Sequence, residues 1–171
     1  MAIEVISGIL DFSKGCIISN QDYLMKSYLS VITISDSIIH SIRVSQNHMR
    51  ILTSNFTMNN IEIYNISTAE GGIFMTLAFE SIFNAQNITY YDSYSILAQT
   101  SGSSQAFLNN ITFRNITNAN DLLKFRQCSK ATISQIQIEN WTTNTERIFL
   151  IDNSKQVLLS NISIQDYAST F

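Results

Sequence analysis

The chain has 171 residues, 45% of them apolar, which suffices for one domain with a real core and excludes a disordered class. Only 13% are charged and the net charge is -3 with no basic run, so nucleic acid and anionic membrane surfaces are set aside as partners. No apolar stretch approaches the roughly 20 residues that cross a bilayer, and Met1-Ala2-Ile3-Glu4 lacks the regions of a signal peptide, so a secreted protein would carry this chain as a mature piece or an internal fragment.

A short pattern recurs along the chain. A weak first copy is Ile3-Glu4-Val5-Ile6-Ser7, and six stronger ones are centred on Ile32, Ile61, Ile88, Ile111, Ile136 and Ile162, 23 to 29 residues apart by subtraction. Two residues beyond each isoleucine stands another apolar side chain (Ile34, Ile63, Tyr90, Phe113, Ile138, Ile164), and four beyond stands Asp36, Asn65, Asp92, Asn115, Asn140 or Asp166. Three before is apolar again, from Leu29 and Met58 to Leu159. Self-similarity at this period means a solenoid or a propeller.

The segments 110–116 and 135–141 alternate in twos, the period of a half-buried strand. Two adjacent polar residues before each isoleucine break the alternation, so the chain bends there. The residue at the bend is Asn60, Asn87, Asn110, Gln135 or Asn161, and asparagine tolerates the left-handed conformation of a corner. A second apolar strand appears around 73–75, 122–125 and 148–151, and a serine column (Ser54, Ser81, Ser104, Ser129) precedes the isoleucines by seven. Most of the length variation is expected between these last two landmarks. The units are too short and glycine-poor for propeller blades. The reading is an all-β, right-handed single-stranded parallel β-helix of about seven rungs of about 25 residues each, forming one domain over 1–171.

The runs from Ser129 to Asn140 and from Ser154 to Asp166 resemble the coils of right-handed pectin-lyase-type β-helix proteins. The richness in Asn, Ile and Ser further resembles the large repeat-bearing surface proteins of ciliates and other protists. This is a resemblance to a scaffold and carries no catalytic motif, although the pectin-lyase-type fold includes lyases and glycoside hydrolases.

A glycoside hydrolase needs two carboxyl groups flanking the bond. The acids of the corner column, Asp36, Asp92 and Asp166, never fall on adjacent copies and interchange with Asn, as a turn tolerates. The only mixed cluster, Asp121 and Glu146 with Lys124, Arg126 and Arg147, reads as a solvated charged face. His40 and His48 have no partner at ligand spacing and read as structural or surface residues. Cys16 and Cys128, about four copies or roughly 20 Å apart, read as buried free thiols. No catalytic residue, metal or cofactor is assigned.

Seven N-x-S/T sequons occur, about twice the chance number for this composition. Asn55, Asn65, Asn115 and Asn140 are the glycosylation candidates. Asn87, Asn110 and Asn161 stand behind them, because a stacked corner amide already has a structural task. The expected function is a non-enzymatic structural or adhesive module of an extracellular or cell-surface, fibre-forming glycoprotein. The alternatives are a fragment of a polysaccharide lyase or glycoside hydrolase, or a carbohydrate-binding module using Tyr64, Tyr91, Trp141 and Tyr167. Expected partners are carbohydrate and, by end-to-end stacking, copies of the chain or the rest of a longer one, with Ile162 and Ile164 facing Ile3 and Val5.

Overall fold

The computed structural model describes residues 3–18, 24–44, 48–68, 72–117, 121–143 and 147–169. Fifteen strands follow one another: β1 (Ile3–Ile6), β2 (Ile9–Ser13), β3 (Cys16–Ile18), β4 (Met25–Tyr28), β5 (Val31–Val44), β6 (Met49–Leu52), β7 (Asn55–Thr68) and β8 (Ile73–Ala78). The rest are β9 (Ile82–Ser93), β10 (Ile96–Thr100), β11 (Gln105–Thr117), β12 (Leu123–Arg126), β13 (Lys130–Thr143), β14 (Phe149–Asp152) and β15 (Val157–Ser169). Among the described residues there is no helix.

Every strand pairs in parallel with its equivalent one turn away. One sheet runs β1-β4-β6-β8-β10-β12-β14; the other runs β15-β13-β11-β9-β7-β5-β2, with β3 also on β5. Ile3 is followed down its sheet by Met25, Met49, Met75, Ala98, Leu123 and Phe149, so six turns take 146 residues, about 24 each. The protein is a parallel β-solenoid. Column for column, Ile61, Ile88, Ile111, Ile136 and Ile162 are register partners, and the first four are buried.

The long strands bend twice without leaving their sheet. The first bend is at Lys14, Asp36, Asn60, Asn87, Asn110, Gln135 and Asn161, the second at Ser41, Asn65, Asp92, Asn115, Asn140 and Asp166, all with φ between 48° and 56°. Asparagine's short amide lowers the cost of this conformation and can bond to the next coil. It does so at 2.8 Å from Asn60 to Asp36, Asn87 to Asn60 and Asn110 to Asn87, the Nδ2 donating to Oδ1 each time. A third left-handed corner (Ser7, Leu29, Thr53, Glu80, Ser103, Gln127, Asn153) follows the short strands. Each coil is therefore a run of short straight faces with side chains alternating in and out.

Three expectations are corrected. Ile32 does not belong to the isoleucine ladder: it pairs with Leu10 and Phe56, and the partner of Ile61 in that coil is Ser37. The cause is a repeat inside the repeat. Phe56-Thr57-Met58-Asn59-Asn60 and Ile61-Glu62-Ile63-Tyr64-Asn65 both read apolar, x, apolar, x, corner, so a slip of five residues lays one bend on the other. Likewise Ile3 and Val5 lie in the short-strand sheet, opposite in register to Phe149 and Ile151, and cannot face Ile162 and Ile164. Finally, the length variation lies between the second bend and the next short strand: Asn65 precedes Met75 by ten residues, Asp92 precedes Ala98 by six.

The corrected register lengthens the serine column. Ser30 joins it, its N–H donating to the Ser54 hydroxyl at 3.0 Å, and the Ser54 N–H donating to Ser81. Each hydroxyl in turn donates to a carbonyl, as Ser54 does to Leu52 at 2.7 Å, so these buried polar groups are satisfied. At the far end Cys128 takes the inner position beside half-buried Ser129, its thiol donating to the Ser104 carbonyl. Burial pushes the Cys128 thiol pKa up. Cys16, by contrast, is exposed, because it stands on the outward side of the strand paired with Ile38.

Candidate functional site

The face between the third corner and the first carries two outward columns. One is Thr33, Thr57, Asn84, Phe107 and Thr132; the other is Ser35, Asn59, Gln86, Asn109 and Ser134. The residues between them point inward (Phe56, Met58, Phe83, Ala85, Ala106, Leu108), and their burial fixes which side chains are left outside. Across β7, β9, β11 and β13 this face is hollowed into a groove of about 320 Å³. Its walls are the amides of Asn59, Asn84, Gln86 and Asn109, hydroxyls of Thr57, Thr132 and Ser134, and the Phe107 ring. No ionisable side chain lines it.

Within the groove the Ser134 hydroxyl donates to Asn109 Oδ1 at 2.9 Å, which turns the Asn109 NH₂ free to donate elsewhere. Asn59 Oδ1 is shielded from solvent and has no hydrogen-bond partner among the described residues. The Lys130 ammonium stands 5.6 Å from the centre of the Phe107 ring and helps to fix its orientation. The arrangement offers hydrogen-bond donors and acceptors at every coil and one aromatic surface with the Lys130 ammonium beside it, and no carboxylate lines it.

Past the asparagine corner, the next face carries an aromatic strip. His40 stacks on Tyr64 and Tyr64 on Tyr91, both at 4.9 Å with rings tilted by 2° and 20°. Tyr64 therefore has both ring faces covered, and the strip braces neighbouring coils rather than presenting an open platform. Arg114 and Glu139 continue the same column with an ion pair at 2.8 Å. Burial, followed by the nearby Glu62 carboxylate, raises the Tyr91 pKa. Trp141 is not an exposed aromatic: it is buried in the inward column after the second bend, against Tyr167 at 5.2 Å.

Asp121 is not on a solvated face either. It is fully buried, accepts from Arg147 Nε at 3.1 Å and lies 3.4 Å from the Lys124 ammonium. The Lys124 contact is a charge pair rather than an aligned hydrogen bond, since Asp121 Oδ2 has no hydrogen-bond donor in place. Arg126 is exposed and has no part in the cluster, and Glu146 lies outside the described residues. The two histidines part company. His40 is in the outer strip, and His48 is buried with neither ring nitrogen bonded, its pKa lowered to about 4 by burial.

Among the sequon residues, Asn65, Asn115 and Asn140 are exposed, yet each donates its amide to the preceding coil: to Ser41, Asp92 and Asn115 respectively. Asn87 and Asn110 do the same in the first corner. Asn55 stands exposed at the start of β7, outside both ladders. The groove residues went unread in the sequence although the signal was there: once the coils are registered, Asn59, Gln86 and Asn109 form an uncharged outward column.

No protein-family model matches the chain, and no curated protein or solved structure matches it.

Proposed function

We propose that this chain is a non-enzymatic structural and adhesive module of an extracellular or cell-surface protein, a stiff solenoid segment that lengthens by coil-on-coil stacking. This follows the pattern of the pectin-lyase-type coils and protist surface repeats that its sequence resembles. The observation that carries the reading is the coil-on-coil repeat itself, in which every strand pairs in parallel with its equivalent one turn away. In β15 the ladder residues Val157, Leu159 and Ile162 are only half-buried and Ile164 is exposed, while their equivalents one coil back are covered. A further coil would bury this edge and pair its backbone groups. In the first coil the columns of Val157, Leu159 and Ile164 are Leu10, Phe12 and Ile17, all apolar, the first two half-buried and Ile17 buried, so like columns would meet in register.

The carboxylates support a scaffold rather than an enzyme. Asp121 is held by Arg147 and Lys124, Glu139 by Arg114, and Glu4 lies 3.8 Å from Lys26. Asp36 and Asp92 accept from corner amides. A surface rich in neutral hydrogen-bonding groups and sequons suits an extracellular setting.

The test is analytical ultracentrifugation of the chain over a wide dilution series. Reversible, concentration-dependent association is expected, weakened by Ile164→Glu, which places a charge on the exposed edge. A species that stays monomeric at every concentration would overturn the stacking.

A further inference from the structure

We infer that the groove across β7, β9, β11 and β13 binds a neutral glycan chain lying along the solenoid axis. The occupant follows from the chemistry of the walls. An anionic polymer would need several basic groups and a cationic one acids; the walls carry neither, and the one cation beside them, Lys130, is already placed on the Phe107 ring. An apolar ligand would leave the four wall amides unpaired, which costs more than the Phe107 contact returns. An extended peptide gains affinity by adding to a free strand edge. These four strands have both edges paired, so a peptide has no ladder to join. A chain of hydroxyl groups satisfies the walls and needs no edge: it can accept from the Asn109 amide, whose Oδ1 is already taken by Ser134, donate to and accept from the exposed amides of Asn84 and Gln86, and lay a ring face or edge on Phe107.

The spacing agrees with this occupant. Four coils about 4.8 Å apart span roughly 14 Å. Amides therefore recur over three coils, with Thr132 and Ser134 on the fourth, at an interval comparable to the advance per residue of an extended, equatorially linked glycan, so each sugar meets hydrogen-bonding side chains. The aromatic strip of Tyr64 and Tyr91 is not part of this site, because it lies on the next face, past the asparagine corner, and both ring faces of Tyr64 are stacked.

The experiment titrates isotopically labelled protein, at a concentration where it is monomeric, with cellohexaose, mannohexaose and chitohexaose, and with an oligogalacturonate of similar length. Because no stacked coil is needed, the result is independent of the scaffold reading. At least one neutral oligosaccharide should shift the side-chain amide signals of Asn59, Asn84, Gln86 and Asn109, with little response to oligogalacturonate. The double variant Asn84→Ala with Phe107→Ala, both on the outward side of their strands, should bind roughly tenfold more weakly. Gln137→Ala on the neighbouring face should bind as the unaltered chain does. The site falls if no neutral oligosaccharide binds at millimolar concentration, if the charged one binds better, or if the shifts map outside the groove. The mapping on the unaltered chain decides the matter even if the double variant fails to fold.

Discussion

The middle coils and the last one carry apolar residues in the same inward columns and differ in having two neighbours or one. Ile138 and Trp141 in β13 are 0% and 1% exposed, while their register partners in β15, Ile164 and Tyr167, are 45% and 44% exposed. Burial in this molecule is thus conferred by the next coil rather than by the residue itself. Stability should then be a sum of nearest-neighbour terms along the axis. The sharpest way to break that comparison is to place the same charge at both sites. Ile111→Asp should cost about 4 kcal/mol or more, because an unpaired carboxylate would sit between Ile88 and Ile136, whereas Ile162→Asp should cost about 1 kcal/mol with one side open to water. Chemical denaturation of the two variants measures the difference, and equal losses would mean that the terminal coil is already covered in solution.

A second contrast lies inside the core. In the column entering the short-strand sheet, Leu24, Phe74, Leu97 and Leu122 are buried apolar residues, and His48 stands among them with unbonded nitrogens. Its folded-state pKa of about 4 is below the ordinary 6.5, so the unfolded chain binds the proton more readily. Stability is present in full above pH 6.5 and is lost as pH falls toward 4, by up to about 3 kcal/mol. Denaturation midpoints measured across that window should slope, and His48→Leu should remove most of this component. An unchanged slope in the variant would assign the acid sensitivity to other groups.

The two contrasts show what a sequence discloses about such a fold. Columns were legible wherever Asn, apolar alternation and the serine seven residues earlier agreed, as in the coils of Ile61, Ile88 and Ile111. They were not legible at Ile32, because Ile32-Thr33-Ile34-Ser35-Asp36 satisfies the pattern in either of two places five residues apart. Only pairing over all of β5 separates the alternatives. The burial of Asp121 was equally hidden: its partner Arg147 is a whole coil away in sequence, and a local reading sees only charge near charge. The groove is a property of the outward columns, whereas periodicity arguments attend to the inward ones.

Smaller effects should separate the middle from the end at the corners. Asn87 holds a left-handed conformation at φ 55° and bonds to both Asn60 and Asn110, while Asn161 at φ 53° closes the column in the last coil. Asn87→Ala should cost about 2 kcal/mol, from backbone strain plus broken amide bonds, and Asn161→Ala about 1 kcal/mol from strain alone. Glycine discriminates the causes. Asn161→Gly should be nearly neutral, since glycine adopts positive φ without penalty, but Asn87→Gly should remain destabilising because the ladder is still interrupted. If both glycine variants are neutral, the amide ladder contributes nothing measurable.

The smallest effect on stability should come from Asn55, and there the contrast is one of chemistry. A glycan is joined through the amide nitrogen, and in Asn65, Asn87, Asn110, Asn115 and Asn140 that nitrogen donates to the coil before it, with another coil stacked about 4.8 Å on the other side. A sugar there would have to replace one of the two amide hydrogens beside the ladder bond and clear the neighbouring side chain. Asn55 is exposed at a strand start and has neither constraint. Expressed in a host that glycosylates secreted chains, the protein should carry its glycan at Asn55 before any ladder position. Intact mass before and after enzymatic deglycosylation, with peptide mapping, reads this directly. Asn55→Gln should abolish that modification and move the denaturation midpoint by less than about 0.5 kcal/mol. Occupancy at Asn115 or Asn140 with Asn55 bare would show that the ladder forms too late, or too weakly, to protect its own amides.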